Sequence, residues 1–128
     1  MGTLTIQQKI EDMIDYATPI IQRWPKLHRY TLGERILNQM YTIAELCEAA
    51  NRKQHKYATM QDMDVKLAVL QQMVRRANRI TYQNREHITK LLDFLKYEVF
   101  SGQITEIGRM LGGWIKAVNA RKNQDNLA

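Results

Sequence analysis

The residues able to do chemistry in this chain are few and scattered. His28, His55 and His87 fall in or near three different connections, with no cysteine or carboxylate at metal-ligand spacing, so the histidines read as solvated and no metal is implied. Cys47, the single cysteine, lies between Ala44 and Ala50 on an apolar stripe, where a thiol acts as a small buried hydrophobe rather than a nucleophile. Asp12 with Asp15, and Asp62 with Asp64, imitate an acid and base couple. Their places in first turns or on exposed arcs of helices make them solvated faces and dipole partners instead. Gly108, Gly112, Gly113 and Lys116 match neither a Walker loop nor a dinucleotide fingerprint, and no strand precedes them. No catalytic residue and no cofactor follow, and the chain reads as a non-enzyme.

The cations carry the remaining signal. Nineteen Lys and Arg face thirteen Asp and Glu, a net charge of +6, which favours an anionic partner. The candidate nucleic-acid contacts form four groups: Lys26 and Arg29 (with Arg23 close by); Arg52, Lys53 and Lys56; Arg75, Arg76 and Arg79 (with Arg85 close by); and Lys116, Arg121 and Lys122. Arg75 and Arg79 are four apart and share a helix face, so phosphate is their obvious ligand. Pairing with acids of neighbouring helices or of another subunit is the alternative. Tyr82 is the sole aromatic near them, too little for a base-stacking platform.

These residues need helices to hold them. Ile6, Ile10, Met13, Ile14, Ala17, Ile20, Ile21 and Trp24 keep a helical period, with Thr5 and Gln8 as a capping box, Pro19 as a kink and Pro25 as the stop. Lys26 to Tyr30 follows as a short basic loop. A second box, Thr31 with Glu34, opens a helix striped by Leu37, Met40, Ala44, Cys47 and Ala50 and widened by Ile36, Ile43 and Leu46. Thr59 caps a third, seamed by Met60, Met63, Leu67, Leu70, Val74 and Ala77. Most methionines, Met40, Met60, Met63 and Met73 among them, fill the interior. Tyr82 to His87 is polar enough for a turn, after which Ile88, Leu91, Leu92, Leu95 and Val99 restart the rhythm. The predicted helices are therefore 5–24, 32–52, 59–81 and 86–119, the last either continuous or divided at Ser101 and Gly102, with a frayed tail over 120–128. Few β-branched runs leave little room for a sheet.

The last helix contains EIGRMLGGWIK, Glu106 to Lys116. Ile104, Ile107, Leu111, Trp114 and Val118 form its core face, while Ser101, Thr105, Gly108 and Gly112 form a neighbouring stripe of small residues. Each interior glycine costs a helix about 1 kcal/mol relative to alanine, which close contact with another backbone would offset. Arg109, between these faces, reads as partly buried and in need of a carboxylate from Asp12, Asp15 or Asp64.

One all-α domain spanning 1–128, an up-down-up-down antiparallel four-helix bundle, is the architecture these elements predict. Its apolar stripes are wider than one bundle consumes: Val69, Met73 and Ile80 make a second line on the third helix, so subunits are expected to pack side by side. No leader pattern and no membrane-length apolar run is present, which makes the cytoplasm the expected compartment.

With EIGRMLGGWIK in place, the chain resembles the accessory variability determinant (Avd) proteins of diversity-generating retroelements. The resemblance extends to IEDMIDYATPI (Ile10 to Ile20), WPK (Trp24 to Lys26), MQDMDVKLAVL (Met60 to Leu70) and VRRA (Val74 to Ala77), and covers nearly the whole chain. The glycine-tryptophan motif, near-invariant in that family, is the specific part; Gly108, Arg109, Leu111, Gly112, Gly113 and Trp114 carry over as packing and oligomer residues.

The resemblance implies a homopentameric barrel and a protein that performs no chemistry itself. It implies two kinds of partner: the retroelement reverse transcriptase, and nucleic acid, chiefly template RNA with DNA second. The protein would then support mutagenic cDNA synthesis. Five copies at +6 would gather about +30, enough to hold an RNA backbone electrostatically. One departure stands out: around Tyr82 to Leu92 the chain is several residues longer than the family pattern. The alternatives are a bundle protein of the ribosomal RNA intervening-sequence type and, more distantly, a small helical enzyme such as a chorismate mutase, which would need a pocket lined by Arg75 and Lys116.

Overall fold

Apolar residues at steps of three and four wind most of the chain into helices, and the faces they form close on one another. The computed structural model describes the backbone of residues 2–127 and the side chains of residues 5–123. In chain order the elements are α1 (Gly2–Gln22), a one-turn α2 (Lys26–His28), a π-helical turn (Arg29–Gly33), α3 (Glu34–Arg52), α4 (Tyr57–Arg79), strands β1 (Thr81–Asn84) and β2 (His87–Lys90), and α5 (Phe94–Leu127). The four long helices pack as α1 on α3, α3 on α4, α4 on α5 and α5 back on α1.

Side-chain contacts fix their directions. Gln7 near the start of α1 donates to Glu48 near the end of α3, while Gly33 before α3 lies under Ile21 at the end of α1. Lys53 after α3 reaches Thr59 at the start of α4, and Gln71 of α4 reaches Ser101 of α5. Tyr16 meets Phe100 edge to face at 5.2 Å. The core these helices enclose is apolar, with Ile10, Met13, Met40, Ile43, Met60, Met63, Leu70 and Ile107 fully buried.

Several expectations need correction. The chain is not wholly helical: Thr81 to Lys90 is an antiparallel hairpin pairing Thr81 with Lys90, Tyr82 with Thr89, Gln83 with Ile88 and Asn84 with His87. β-Branched and aromatic residues stand on both strands, at Thr81, Tyr82, Ile88 and Thr89, and the two-residue turn places Arg85 at φ 57, in the left-handed region. The last helix accordingly begins at Phe94 rather than 86, runs unbroken through Ser101 and Gly102, and continues to Leu127 through the tail expected to fray, with Ala128 outside the described residues.

The restarted apolar rhythm also changes meaning. Leu91 and Leu92 are buried in the turn before α5, whereas Ile88, Leu95 and Val99 are exposed and Phe100 points into the core. Leu91 N–H donates to Ile80 O and Leu92 N–H to Ala77 O, so the hairpin base satisfies a carbonyl that the end of α4 would otherwise leave unpaired.

The three capping residues read from sequence do not cap. Helix α1 starts at Gly2, ahead of Thr5; Thr31 lies inside the π-helical turn and donates to Leu27 O; Thr59 is buried within α4. In each case the helical backbone begins ahead of the threonine, which leaves it inside a turn rather than at its head. The working cap is Asp93, whose carboxylate accepts the Lys96 N–H at 2.9 Å. The expected basic loop at Lys26 to Tyr30 is helical, and its tight course depends on Gly33. A Cβ there would lie 2.7 Å from Ile21 Cγ2 and 3.2 Å from the His28 carbonyl oxygen. Pro19 sits inside α1 without ending it.

Candidate nucleic-acid interface

Helix direction gathers the four basic groups at the two ends of the bundle. One end holds the close of α1, the start of α3, the close of α4 and the hairpin; it carries Lys26, Arg29, Arg75, Arg76 and Arg79. Arg85, which the sequence reading grouped with Arg75, Arg76 and Arg79, and Lys90, which it left out, lie on the hairpin at this same end. The other end holds Arg52, Lys53 and Lys56 beside the far part of α5 with Lys116, Arg121 and Lys122, where Lys122 and Asn119 line a hollow with Tyr57. The carboxylates Asp12, Asp15, Asp62 and Asp64 are exposed along the helices between.

The candidates divide by what already occupies them. Arg52 pairs with Glu48, and its guanidinium, then the Gln7 amide, holds that carboxyl below the usual carboxylate range. Lys56 donates to Ala50 O at 2.9 Å and Lys53 to the Thr59 hydroxyl at 3.1 Å, so both close the turn after α3. Arg29 donates to Gln22 O and stacks over Tyr30, its guanidinium carbon 5.2 Å from the ring centre. These four have structural work. Arg75 is bound to the Tyr97 hydroxyl, whose pKa it lowers. Arg76, Arg79, Lys26, Lys116, Arg121 and Lys122 are exposed, and among the described residues none forms an ion pair.

Arg109 is corrected. It is exposed and pairs with Glu106 one turn earlier on its own helix, not with Asp12, Asp15 or Asp64 across a buried interface. The turn of α5 that carries it points the side chain outward, where a local partner suffices. The small-residue stripe is also open within the subunit: a Cβ at Gly102, Gly108, Gly112 or Gly113 would meet nothing within 4 Å. Leu111 is buried, Trp114 is half-buried against the core, and Gly113 is exposed.

Ser101, Thr105 and Gly108 line a shallow groove of about 640 Å³ between α4 and α5, with Phe94 and Tyr97 on one side and Asp64, Gln71 and Arg75 on the other. Arg75 is the one cation lining it, Lys116 is not part of it, and Asp64 and Glu98 supply opposing charge. That makes this groove a poor cradle for a dicarboxylate.

The other reactive groups stay apart. Burial pushes the Cys47 thiol up to about 11, with nearby Glu48 adding to the rise. His55 and His87 are exposed and His28 half-buried, and among the described residues no three His, Cys, Asp or Glu side chains gather as metal ligands. Among the described residues no helix is long and apolar enough to cross a membrane.

Arg85 was legible as a neighbour of the Arg75 group and Lys90 was not, because placing Lys90 at this end requires knowing that the connection is a ribbon. Comparison with the curated proteins returns no match. The family model described as bAvd-like matches residues 4–118, from α1 to beyond Trp114, and the chain therefore belongs to the bAvd-like family toward which its glycine-tryptophan motif points.

Proposed function

We propose that this protein is the non-catalytic accessory subunit of a diversity-generating retroelement, holding template RNA and the reverse transcriptase together during mutagenic cDNA synthesis. The observation that carries the reading is the pair of basic ends on a bAvd-like bundle, with Arg76, Arg79, Lys26, Lys116, Arg121 and Lys122 free of ion pairs among the described residues. Unpaired surface cations attract phosphate by charge and counterion release without reading bases. The protein works in the cytoplasm.

The subunit is an up-down-up-down bundle that assembles as a homopentameric barrel. Helix α5 supports this because it is apolar on more than its core side: Phe94 is exposed beside the stripe of Ser101, Thr105, Gly108 and Gly112, whose glycines face open space, and Leu95 and Val99 are exposed on another face. A lone bundle leaves that surface wet, and neighbouring subunits would cover it.

Replacing Arg75, Arg76 and Arg79 with glutamine tests the RNA-binding part. Affinity for template RNA should fall by tenfold or more at about 0.15 M salt, with the assembly's mass unchanged in sedimentation. Wild-type affinity in that variant would move the RNA site away from α4. Failure of the wild-type protein to co-purify with the reverse transcriptase encoded beside it would remove the accessory role.

A further inference from the structure

The hairpin Thr81–Lys90 stands outside the bundle and has no part in closing the core beyond its base. Tyr82 and Thr89, paired across the ribbon, are half-buried on its inner face, which leaves the pairs Thr81 with Lys90 and Gln83 with Ile88 fully outward. Ile88 is 74% exposed, an isolated apolar side chain between hydrogen-bonding neighbours. Arg85 marks the tip, and Arg79 with Lys90 the base. From Arg76 to Lys90 the chain carries Arg76, Arg79, Arg85 and Lys90 against the single acid Glu86, and among the described residues none of these cations is ion-paired. Four-residue strands at about 3.3 Å per residue separate tip from base by roughly 10–13 Å, so the cations at the two ends reach different phosphates.

We infer that this ribbon is a second RNA contact: it lies along a base-paired stem, with Arg85 on one phosphate strand, Arg79 and Lys90 on the other, and the Thr81, Gln83 and Ile88 face against the riboses between them. The inference rests on the RNA-binding reading above and adds the element and the form of RNA. Charge complementarity selects phosphate. The outward face carries no aromatic side chain on which unpaired bases stack, and Thr81 and Gln83 supply hydrogen bonds suited to the 2′-hydroxyls of a shallow groove. The bonds from Leu91 to Ile80 O and Leu92 to Ala77 O, and from the Asn78 amide to Leu92 O at 3.0 Å, fasten the ribbon to α4, so its cations move with Arg76 and Arg79.

The test compares the full-length wild-type protein with R85Q/K90Q and with K9Q/K66Q, which removes the same charge away from the hairpin end. Anisotropy titrations use an RNA duplex, the matching DNA duplex and the single RNA strand, over a range of salt. R85Q/K90Q should bind the RNA duplex about tenfold more weakly near 0.15 M salt, with the salt slope reduced by about 2, whereas K9Q/K66Q keeps the wild-type slope. The proposal is overturned if R85Q/K90Q keeps wild-type affinity and slope, if K9Q/K66Q loses as much, or if the wild-type protein binds the DNA duplex or the single strand at least as well. Wild-type RNA binding with a silent hairpin variant sinks this inference alone. No wild-type RNA binding sinks the broader reading with it.

Discussion

Single residues show how burial and partnership, not type, decide reactivity here. Cys47 is fully buried, and its thiol is pushed to about 11 by desolvation first and the Glu48 charge second. At neutral pH it should therefore ignore a thiol reagent in the native protein and react stoichiometrically once denaturant is added; fast labelling of the folded chain would contradict this. The pH dependence has a definite sign. A thiol titrating near 9 when unfolded and near 11 when folded favours the native state below pH 9, and that contribution disappears as pH rises from 9 to 11. Arg109 gives the opposite lesson: its place between the core face and the glycine stripe invited a buried partner, yet one turn of helix supplies Glu106 at the surface.

Among the elements, the apolar stripes were the legible part, because burial enforces them directly. Met60, Met63, Leu67, Leu70, Val74 and Ala77 are all buried along α4, as their spacing demands. The hairpin was not legible by the same rule. Its strands alternate between polar residues, so the period-two pattern carries little apolar contrast, and Tyr82 to His87 looked like an ordinary turn. The same misreading hid Asp93 as the cap of α5. Asp93→Ala should cost about 1 kcal/mol in a denaturant titration, and an unchanged midpoint would mean the start of α5 is held by packing alone. The glycine stripe yields a second element-scale prediction. Gly112 has room for a side chain within the subunit, so Gly112→Leu should keep its helical circular dichroism while losing its oligomeric mass in sedimentation. An unchanged mass would place the interface elsewhere.

For the whole molecule, sequence displayed every cation but not their convergence. Four groups spread from Lys26 to Lys122 reach two ends only because the packed helices run in opposite directions. Sequence could not show either that Lys53 and Lys56 are engaged in closing a turn while Arg76 and Arg79 are not, since that depends on which carbonyls a helix end leaves open. On the proposed function, the assembled molecule is a charged scaffold that captures RNA electrostatically. The most direct measurement is the affinity of the wild-type assembly for template RNA between about 50 and 200 mM salt. With six to ten phosphate contacts, affinity should fall by roughly a thousandfold or more over that range. A salt-insensitive association would contradict the account.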